Sequence, residues 1–291
     1  QVLLLGATNF YDRLDPALIR HGRLAQRVSV LPPSNDIDAR ALLRHFFEQD
    51  LTTTEIEKLV RFTVGVTPAS VEGWSKAAKA IARASRRNVS VDDVIAQATP
   101  SDSRSASDIL ATARHEIGHA LVAQRLGHVV ETVSILRDGA SGGRTISIPP
   151  TTIMSRKIID DLVTIALAGR AADIVFGEGP NAGANGDLAI ATELLTKTQD
   201  EYGLGGDLVH ASAARLRPGL GREMLGKELD RLLDRAKSII FDDIDIAERL
   251  VDHLIAEKTL TGVEISCLLG VPADNRGLHT PGQRDGAKFS E

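Results

Sequence analysis

The sequence predicts a mixed, mainly helical fold: a short α/β sheet remnant with a helical subdomain, followed by a mostly helical domain carrying a small β element. Three observations point there. Short apolar runs closed by glycine or proline, at Val2–Leu5 and Val28–Leu31, have the length and texture of strands. Apolar residues recurring at three- and four-residue spacing fill most of the remaining chain. Between the two parts lies Thr99–Ser107, rich in serine and without a large apolar side chain, which reads as a linker. A length of 291 residues suits about two domains of ordinary size. The expected division is 1–99 (sheet remnant 1–33, helical subdomain 34–99), linker 100–107, second domain 108–270 and tail 271–291.

Taken in order, Val2–Leu5 ends at Gly6 and fits a strand buried on both faces. Leu14–Arg20 reads as a short helix with Pro16 near its first position and Gly22 stopping it. Val28–Leu31 is a second strand, closed by Pro32 and Pro33. Ser34 can cap a helix whose apolar face carries Ile37, Ala41, Leu42 and Phe46, and helical patterns follow at Thr54–Thr63, Pro68–Ser85 and Val91–Ala98. From Asp108, a suitable N-cap, to about Leu126 the pattern is again helical, with Gly127 as a stop. Val129–Leu136 and Arg144–Ile148 read as strands around the turn-rich Asp138–Gly143. Helices are expected at Ser155–Ala168 and Asp187–Glu201, separated by the glycine-rich 177–186, and then at Arg222–Phe241 and Ile244–Glu257. The first of the last pair carries Met224, Leu225, Leu229, Leu232, Ala236 and Ile239 on one stripe. The polar, glycine-rich tail after Gly270 is expected to be disordered.

Composition removes several classes of function. Aromatic residues make up 3% of the chain and the formal net charge is −5, so neither a stacking platform nor a basic footprint for nucleic acid is present. Cys267 is the single cysteine, which excludes an intramolecular disulfide and a thiolate zinc cluster and suits a reducing compartment. No run of 18 apolar residues and no basic-then-apolar leader occurs. The chain opens on Gln1 and directly on an apolar run, as though inside a domain, so it reads as the C-terminal part of a longer protein.

Chemistry concentrates at His115-Glu116-Ile117-Gly118-His119. Histidines four apart on a helix leave the same face about one turn apart and can reach one ion, and zinc accepts imidazole nitrogens readily. Glu116, beside the first histidine, is placed to take a proton from a water at such an ion. Gly118 is a weak helix former in a helix interior, which suggests that a neighbouring element packs closely there. A third ligand must come from elsewhere. Val122 and Arg125 occupy the positions where a metzincin extension needs glycine and histidine, so carboxylates are next: Asp187, Asp173 and Glu131. Asp187 follows Gly183-Ala184-Asn185-Gly186 and opens a helix, where a plain N-cap is its competing role.

Over nearly its whole length the sequence resembles the FtsH family, the membrane-anchored AAA+ zinc proteases. The resemblance rests on His115–His119, on Gly169-Arg170-Ala171-Ala172-Asp173, which is similar to that family's Gly-Arg-x-Ala-Glu segment, and on Gly183–Asp187, similar to the segment supplying its aspartate ligand. By resemblance, His115, His119 and Asp187 hold Zn2+, Glu116 is the general base, and Asp173 stands in the second shell with a side chain shorter than the family's glutamate. Gly143, Arg144, Thr145, Ile146 and Ser147 resemble the edge strand that binds polypeptide substrates by strand addition. The first part resembles the end of an AAA+ ATPase domain: Gly6-Ala7-Thr8-Asn9, Leu14–Arg20 and Gly22-Arg23 follow its second region of homology. Asn9 would then be a nucleotide sensor, and Arg20 and Arg23 arginine fingers toward a neighbouring subunit's ATP/Mg2+. The resemblance further implies a homo-oligomeric, hexameric ring, with the parent protein anchored at the cytoplasmic face of the cell membrane or at an organelle membrane and this piece soluble.

Departures from the family lie in the ATPase part. No strand followed by G-x-x-x-x-G-K-[ST] occurs. Gly221 to Gly226-Lys227 comes near, but Glu228 replaces the hydroxyl and the segment lies in an amphipathic helix. Pro68-Ala69-Ser70 and Ser75-Lys76 stand where the family has Gly-Ala-Asp and an Asn-Glu pair. The expected function is ATP-dependent zinc endopeptidase action on unfolded or membrane-associated proteins, without ATPase activity in this chain alone. The alternative is a non-proteolytic remodelling or adaptor subunit that keeps the fold.

Overall fold

The computed structural model describes residues 5–8, 11–15, 17–20, 22–24, 26–137, 142–206, 208, 210 and 221–271. The chain divides into two compact units, Gln1–Pro32 and Pro33–Glu291. Residues 2–4 of the first expected strand, Asn9, residues 138–141 of the expected turn and residues 272–291 of the tail lie outside the described residues.

Within the first unit the expected helix over Leu14–Arg20 does not form. A 3₁₀ turn spans Tyr11–Arg13, and isolated turns follow, with Leu18 N–H donating to Asp15 O and Ala17 N–H to the Asp15 carboxylate. Asp15 thus offers the backbone a local alternative to helical pairing. The second expected strand is likewise absent: residues 26–31 have no regular structure, and Val28 and Val30 are about four-fifths exposed, at 77% and 82%. A strand needs a neighbour for its backbone groups, and among the described residues none pairs with this run.

The second unit begins with four helices: α1 (Asp36–Phe47), α2 (Thr53–Thr63), α3 (Pro68–Ala84) and α4 (Val91–Ala98). Each start is set by a side-chain cap. Asn35, not Ser34, accepts from Asp38 N–H, while Thr52 and Ser90 close reciprocal capping boxes with Glu55 and Asp93. Thr67 caps α3 ahead of Pro68, whose missing N–H costs nothing at the first helical position. The buried face of α1 is Ala39, Leu43 and Phe47; of the expected residues Leu42 and Phe46 pack partly buried against the same core, while Ile37 and Ala41 point outward. Leu43, Phe47, Leu59, Val71 and Val94 form this subdomain's core.

After a stretch without regular structure, Ser105 caps α5 (Ala106–Arg125), with Asp108 in the third helical position closing a capping box rather than serving as the cap itself. Gly127, at φ 80°, ends the helix as a left-handed C-terminal residue. Two strands follow, β1 (Val129–Ser134) and β2 (Arg144–Ile148), then α6 (Arg156–Ala166), α7 (Ala168–Val175) and α8 (Asn185–Asp200). The chain continues through α9 (Arg222–Asp242), α10 (Ile244–Glu257), β3 (Thr259–Thr261) and α11 (Gly262–Leu268). The sheet is antiparallel in the order β2-β1-β3, pairing Val133 with Thr145 on one side and with Leu260 on the other. Sequence patterns ended the preceding helix at Ala168 and revealed neither α7, β3 nor α11.

Helix α5 runs through the middle of this domain, burying Ala113, Ile117, Ala120 and Leu121 against α7, α9, α10 and β1. At Gly118 the backbone of α7 comes so close that a β-carbon would stand 2.6 Å from both Ala168 O and Ala172 Cβ. The weak helix former is therefore there to permit a close helix crossing. That crossing sets where the two histidines of α5 face. Among the described residues no helix is long and apolar enough to cross a membrane.

Candidate metal centre

His115 and His119 leave α5 on the face covered by α6, α7 and the start of α8. Each imidazole is oriented by the nitrogen that does not face its partner. His119 Nδ1 lies 2.7 Å from Ile165 O, an acceptor only, so Nδ1 carries a proton and Nε2 is the nitrogen left to face the partner groups. His115 Nδ1 lies 3.2 Å from Asp173 Oδ2, which is itself held by the side-chain amide of Asn181 at 3.1 Å. Both Nε2 atoms are thereby turned toward one point.

Asp187 reaches that point from the first turn of α8. The helix begins at Asn185 without a side-chain cap, so Asp187 does not spend its carboxylate on the backbone. Its Oδ2 lies 3.2 Å from His115 Nε2 and 3.6 Å from His119 Nε2, and the two Nε2 atoms are 3.2 Å apart. Donor atoms 2.0–2.1 Å from one ion at tetrahedral angles are separated by about 3.3 Å. The triangle thus has the dimensions of one face of a zinc tetrahedron, and its two imidazoles and one carboxylate are the donor types of an open zinc site. Gly169 on α7 makes room for it: a β-carbon there would run into Nε2 of both His115 and His119. Of the other carboxylates considered, Asp173 faces the far side of His115, and Glu131 lies on β1, half-buried, with burial and then Asp36 raising its pKa.

Proton affinities within the triangle are mutually tuned. Burial works against charge on His115, yet hydrogen bonds to Asp173 and Asp187 outweigh it and push its pKa up to about 10. Burial alone would raise Asp187, but the hydrogen bonds and charges of His115 and His119 hold it well below the usual carboxylate range. A divalent cation would take the place of the proton that His115 presents to Asp187.

Glu116 sits one residue along from the first imidazole and is 7% exposed. Burial raises its pKa, opposed by the charge of His119 and by the hydroxyl of Thr145 on β2, whose Oγ1 is 2.8 Å from Oε2. The backbone of Gly143 also closes on it, leaving no room for a β-carbon beside its Cγ and Oε1. These groups open onto a cavity of about 890 Å³, with polar walls from α5 and β2 and an apolar side made by Leu162, Ile165, Ala166 and Ile190. Strand β2 forms one side of the cavity, and its outer edge pairs with no strand among the described residues.

The remaining expected positions fall elsewhere. Arg20 and Arg23 are exposed in the first unit, where Arg23 Nη1 donates to Ala17 O. Lys227 lies in α9, paired with Glu223 on an exposed face. Sequence reasoning missed Asn181, the Ile165 carbonyl, the room that Gly169 leaves for the two imidazoles and the contact from Thr145 to Glu116. A backbone acceptor has no sequence signature, and Thr145 stood only among the strand residues.

Comparison with known proteins agrees with this geometry. Residues 104–225 match the model of Peptidase family M41. The chain is 31% identical to ATP-dependent zinc metalloprotease FtsH 1 of Thermomicrobium roseum, over 96% of this chain and 48% of that protein. It is 30% identical to the FtsH proteins of Acidothermus cellulolyticus, over 96% of this chain and 47% of the relative, and of Thermus thermophilus, over 94% and 49%. It spans about half the length of these relatives. A peptidase segment that carries the histidine pair and Asp187, together with similarity extending over almost all residues, places the chain in the FtsH family of zinc metalloproteases.

Proposed function

We propose that this chain is the peptide-hydrolysing part of an ATP-dependent zinc metalloendopeptidase acting on unfolded or membrane-associated proteins. The observation that carries the reading is the triangle of His115 Nε2, His119 Nε2 and Asp187 Oδ2 with the Glu116 carboxyl beside it. A zinc ion held there would supply Lewis acidity to a water and to the substrate carbonyl. The Glu116 carboxylate takes a proton from water as the water oxygen attacks the carbonyl carbon, then delivers that proton to the amide nitrogen as the C–N bond breaks. A carboxylate and an amine leave.

Asp173 and the Ile165 carbonyl keep the imidazoles in the tautomer that presents Nε2. The outer edge of β2, with Gly143, Arg144, Thr145, Ile146 and Ser147, supports substrate binding by strand addition, which uses backbone groups and so tolerates many sequences. Assembly into a hexameric ring, membrane anchoring of the parent protein at the cytoplasmic face or in an organelle, and use of ATP/Mg2+ through Asn9, Arg20 and Arg23 belong to the same reading and are drawn from the family.

The test is Glu116→Gln with zinc bound. Its zinc content and melting temperature should match those of wild type, and cleavage of an unfolded protein should fall about 10²–10⁴-fold. A variant that cleaves as fast as wild type would show that another group moves the proton. A zinc-loaded wild type that cleaves no polypeptide would favour the non-proteolytic alternative.

A further inference from the structure

We propose that β2 ties the helical subdomain to the catalytic base, with Thr145 as the positioning residue that holds Glu116 and Arg144 and Ile146 as the anchors on α2. The inference rests on Glu116 having the role given above.

Side chains alternate along a strand, so residues 144 and 146 share one face of β2 and residue 145 the other. The two faces are committed to different partners. On the first, Arg144 Nη2 donates to Val64 O at 2.9 Å, and Ile146 packs against the core of the helical subdomain. Both meet the backbone where α2 ends: a β-carbon on Gly65 would overlap Ile146 Cδ1 and stand 3.2 Å from Arg144 Nε. Gly65, at φ 76°, also donates its N–H to Pro33 O at 2.7 Å, so this turn receives the chain as it enters the unit. On the other face, Thr145 Oγ1 is 2.8 Å from Glu116 Oε2 and 3.0 Å from Glu116 O. The hydroxyl, with a single proton to donate, thus lies within reach of the carboxylate, its nearer acceptor, and of the carbonyl of the residue that carries it.

The sheet cannot slip independently of α2, because α2 grips its opposite edge as well. Arg61 donates to Thr259 O on β3 at 2.8 Å and to Glu264 at 3.2 Å. With β2 and β3 both held, and β1 paired between them, a displacement of α2 relative to α5 must carry β2 along and change the distance from Thr145 to Glu116. The helical subdomain thus has a mechanical path to the base that leaves the three metal-facing atoms untouched.

The experiment uses the full chain, zinc-loaded, with a short fluorogenic unstructured peptide, and four variants: Thr145→Val, Thr145→Ser, Gly65→Ala and the double variant Gly65→Ala with Thr145→Val. Removing a hydrogen bond to a charged group predicts a fall in kcat of about 10-fold or more for Thr145→Val, with KM and zinc content near wild type. Thr145→Ser should recover most of that loss. Gly65→Ala should lower kcat at constant zinc content, and the double variant should be no slower than Thr145→Val, since both act through one contact. Backbone amide exchange of residues 144–147 should quicken in Gly65→Ala while exchange in α5 does not. If Gly65→Ala fails to fold, Ile146→Ala takes its place with the same expectations. An unchanged kcat in Thr145→Val, no recovery in Thr145→Ser, or losses that multiply in the double variant would overturn the proposal. Should the wild type bind zinc yet cleave nothing, the function above fails, and amide exchange alone decides the linkage: unchanged exchange at 144–147 refutes it, and faster exchange supports it.

Discussion

His115 and His119 are oriented from α6 and α7, and α8 brings Asp187 to them, whereas Arg20 and Arg23 stand exposed on turns of the first unit. Both sets carry the residue types of a known motif. In the first set, the packing that surrounds the motif fixes its geometry: Gly118 lets α7 cross α5, and α7 then brings Gly169 and Asp173 to the imidazoles. In the first unit, Val28, Val30 and Leu31 remain exposed, and no strand forms among the described residues. Apolar residues of strand-like texture need a neighbouring strand before they become one. A motif is realised where its supporting shell lies in the same chain.

The comparison is tested most severely by removing one corner of the triangle. Asp187→Ala should show the largest loss of zinc, measured as metal content at limiting zinc. Asp173→Ala should cost less, about 10–100-fold in affinity, because Asp173 orients a ligand without facing the shared point. Full affinity in Asp187→Ala together with its collapse in Asp173→Ala would transfer the ligand role to Asp173.

Proton release gives a smaller effect that sharpens the same picture. His115, with its pKa pushed up to about 10, carries a proton at neutral pH in the metal-free protein, so zinc binding at pH 7 should release about one proton. Titration calorimetry in buffers of different ionisation enthalpy reads this directly. The sign also fixes a stability trend. A histidine pKa raised above its ordinary value of about 6.5 stabilises the fold fully below that value, and the contribution is lost as pH rises through about 10. Metal-free protein should therefore melt at a lower temperature at pH 10 than at pH 7, and zinc affinity should rise over the same range. No proton release at pH 7 would mean that the carboxylates do not hold the imidazole charged.

Much of the second unit was legible because its helices carry their own punctuation. The expected starts at Pro68 and Val91 and the stop at Gly127 coincide with the structure, where Thr67 and Ser90 supply the caps and Gly127 takes a positive φ. The histidine pair was legible for the same reason: its spacing is a property of one helix. What could not be read depends on contacts distant in sequence. The separate helix α7 follows α6 after a single residue, Leu167, with no cap to announce it, and β3 has three residues and exists because β1 lies beside it. The face of α1 was misjudged in part, because Ile37, apolar by type, is exposed and the small Ala39 takes a core position beside Leu43 and Phe47. Asp108 was misplaced because Ser105 begins the helix three residues earlier.

The smallest expected effect is none at all. Hydrolysis of ATP needs backbone N–H groups that cradle the phosphates, a lysine that reaches them and a hydroxyl that holds magnesium, all on a loop between a strand and a helix. The nearest sequence here, Gly221 to Gly226-Lys227, instead runs into α9, where Met224 and Leu225 N–H donate to Gly221 O and no loop between a strand and a helix is formed among the described residues. Lys227 is paired with Glu223 one turn away, and Glu228, in the position of the magnesium-binding hydroxyl, reaches Arg156 and Arg231. The lysine and the residue at the hydroxyl position are thus both engaged in ion pairs. We therefore expect this chain alone to turn over no ATP, with or without zinc, in an assay that detects phosphate release. Phosphate release that disappears in Lys227→Ala would mean that this segment does leave its helix to hold a nucleotide. The contrast between a built metal centre and an unbuilt phosphate site would then be wrong.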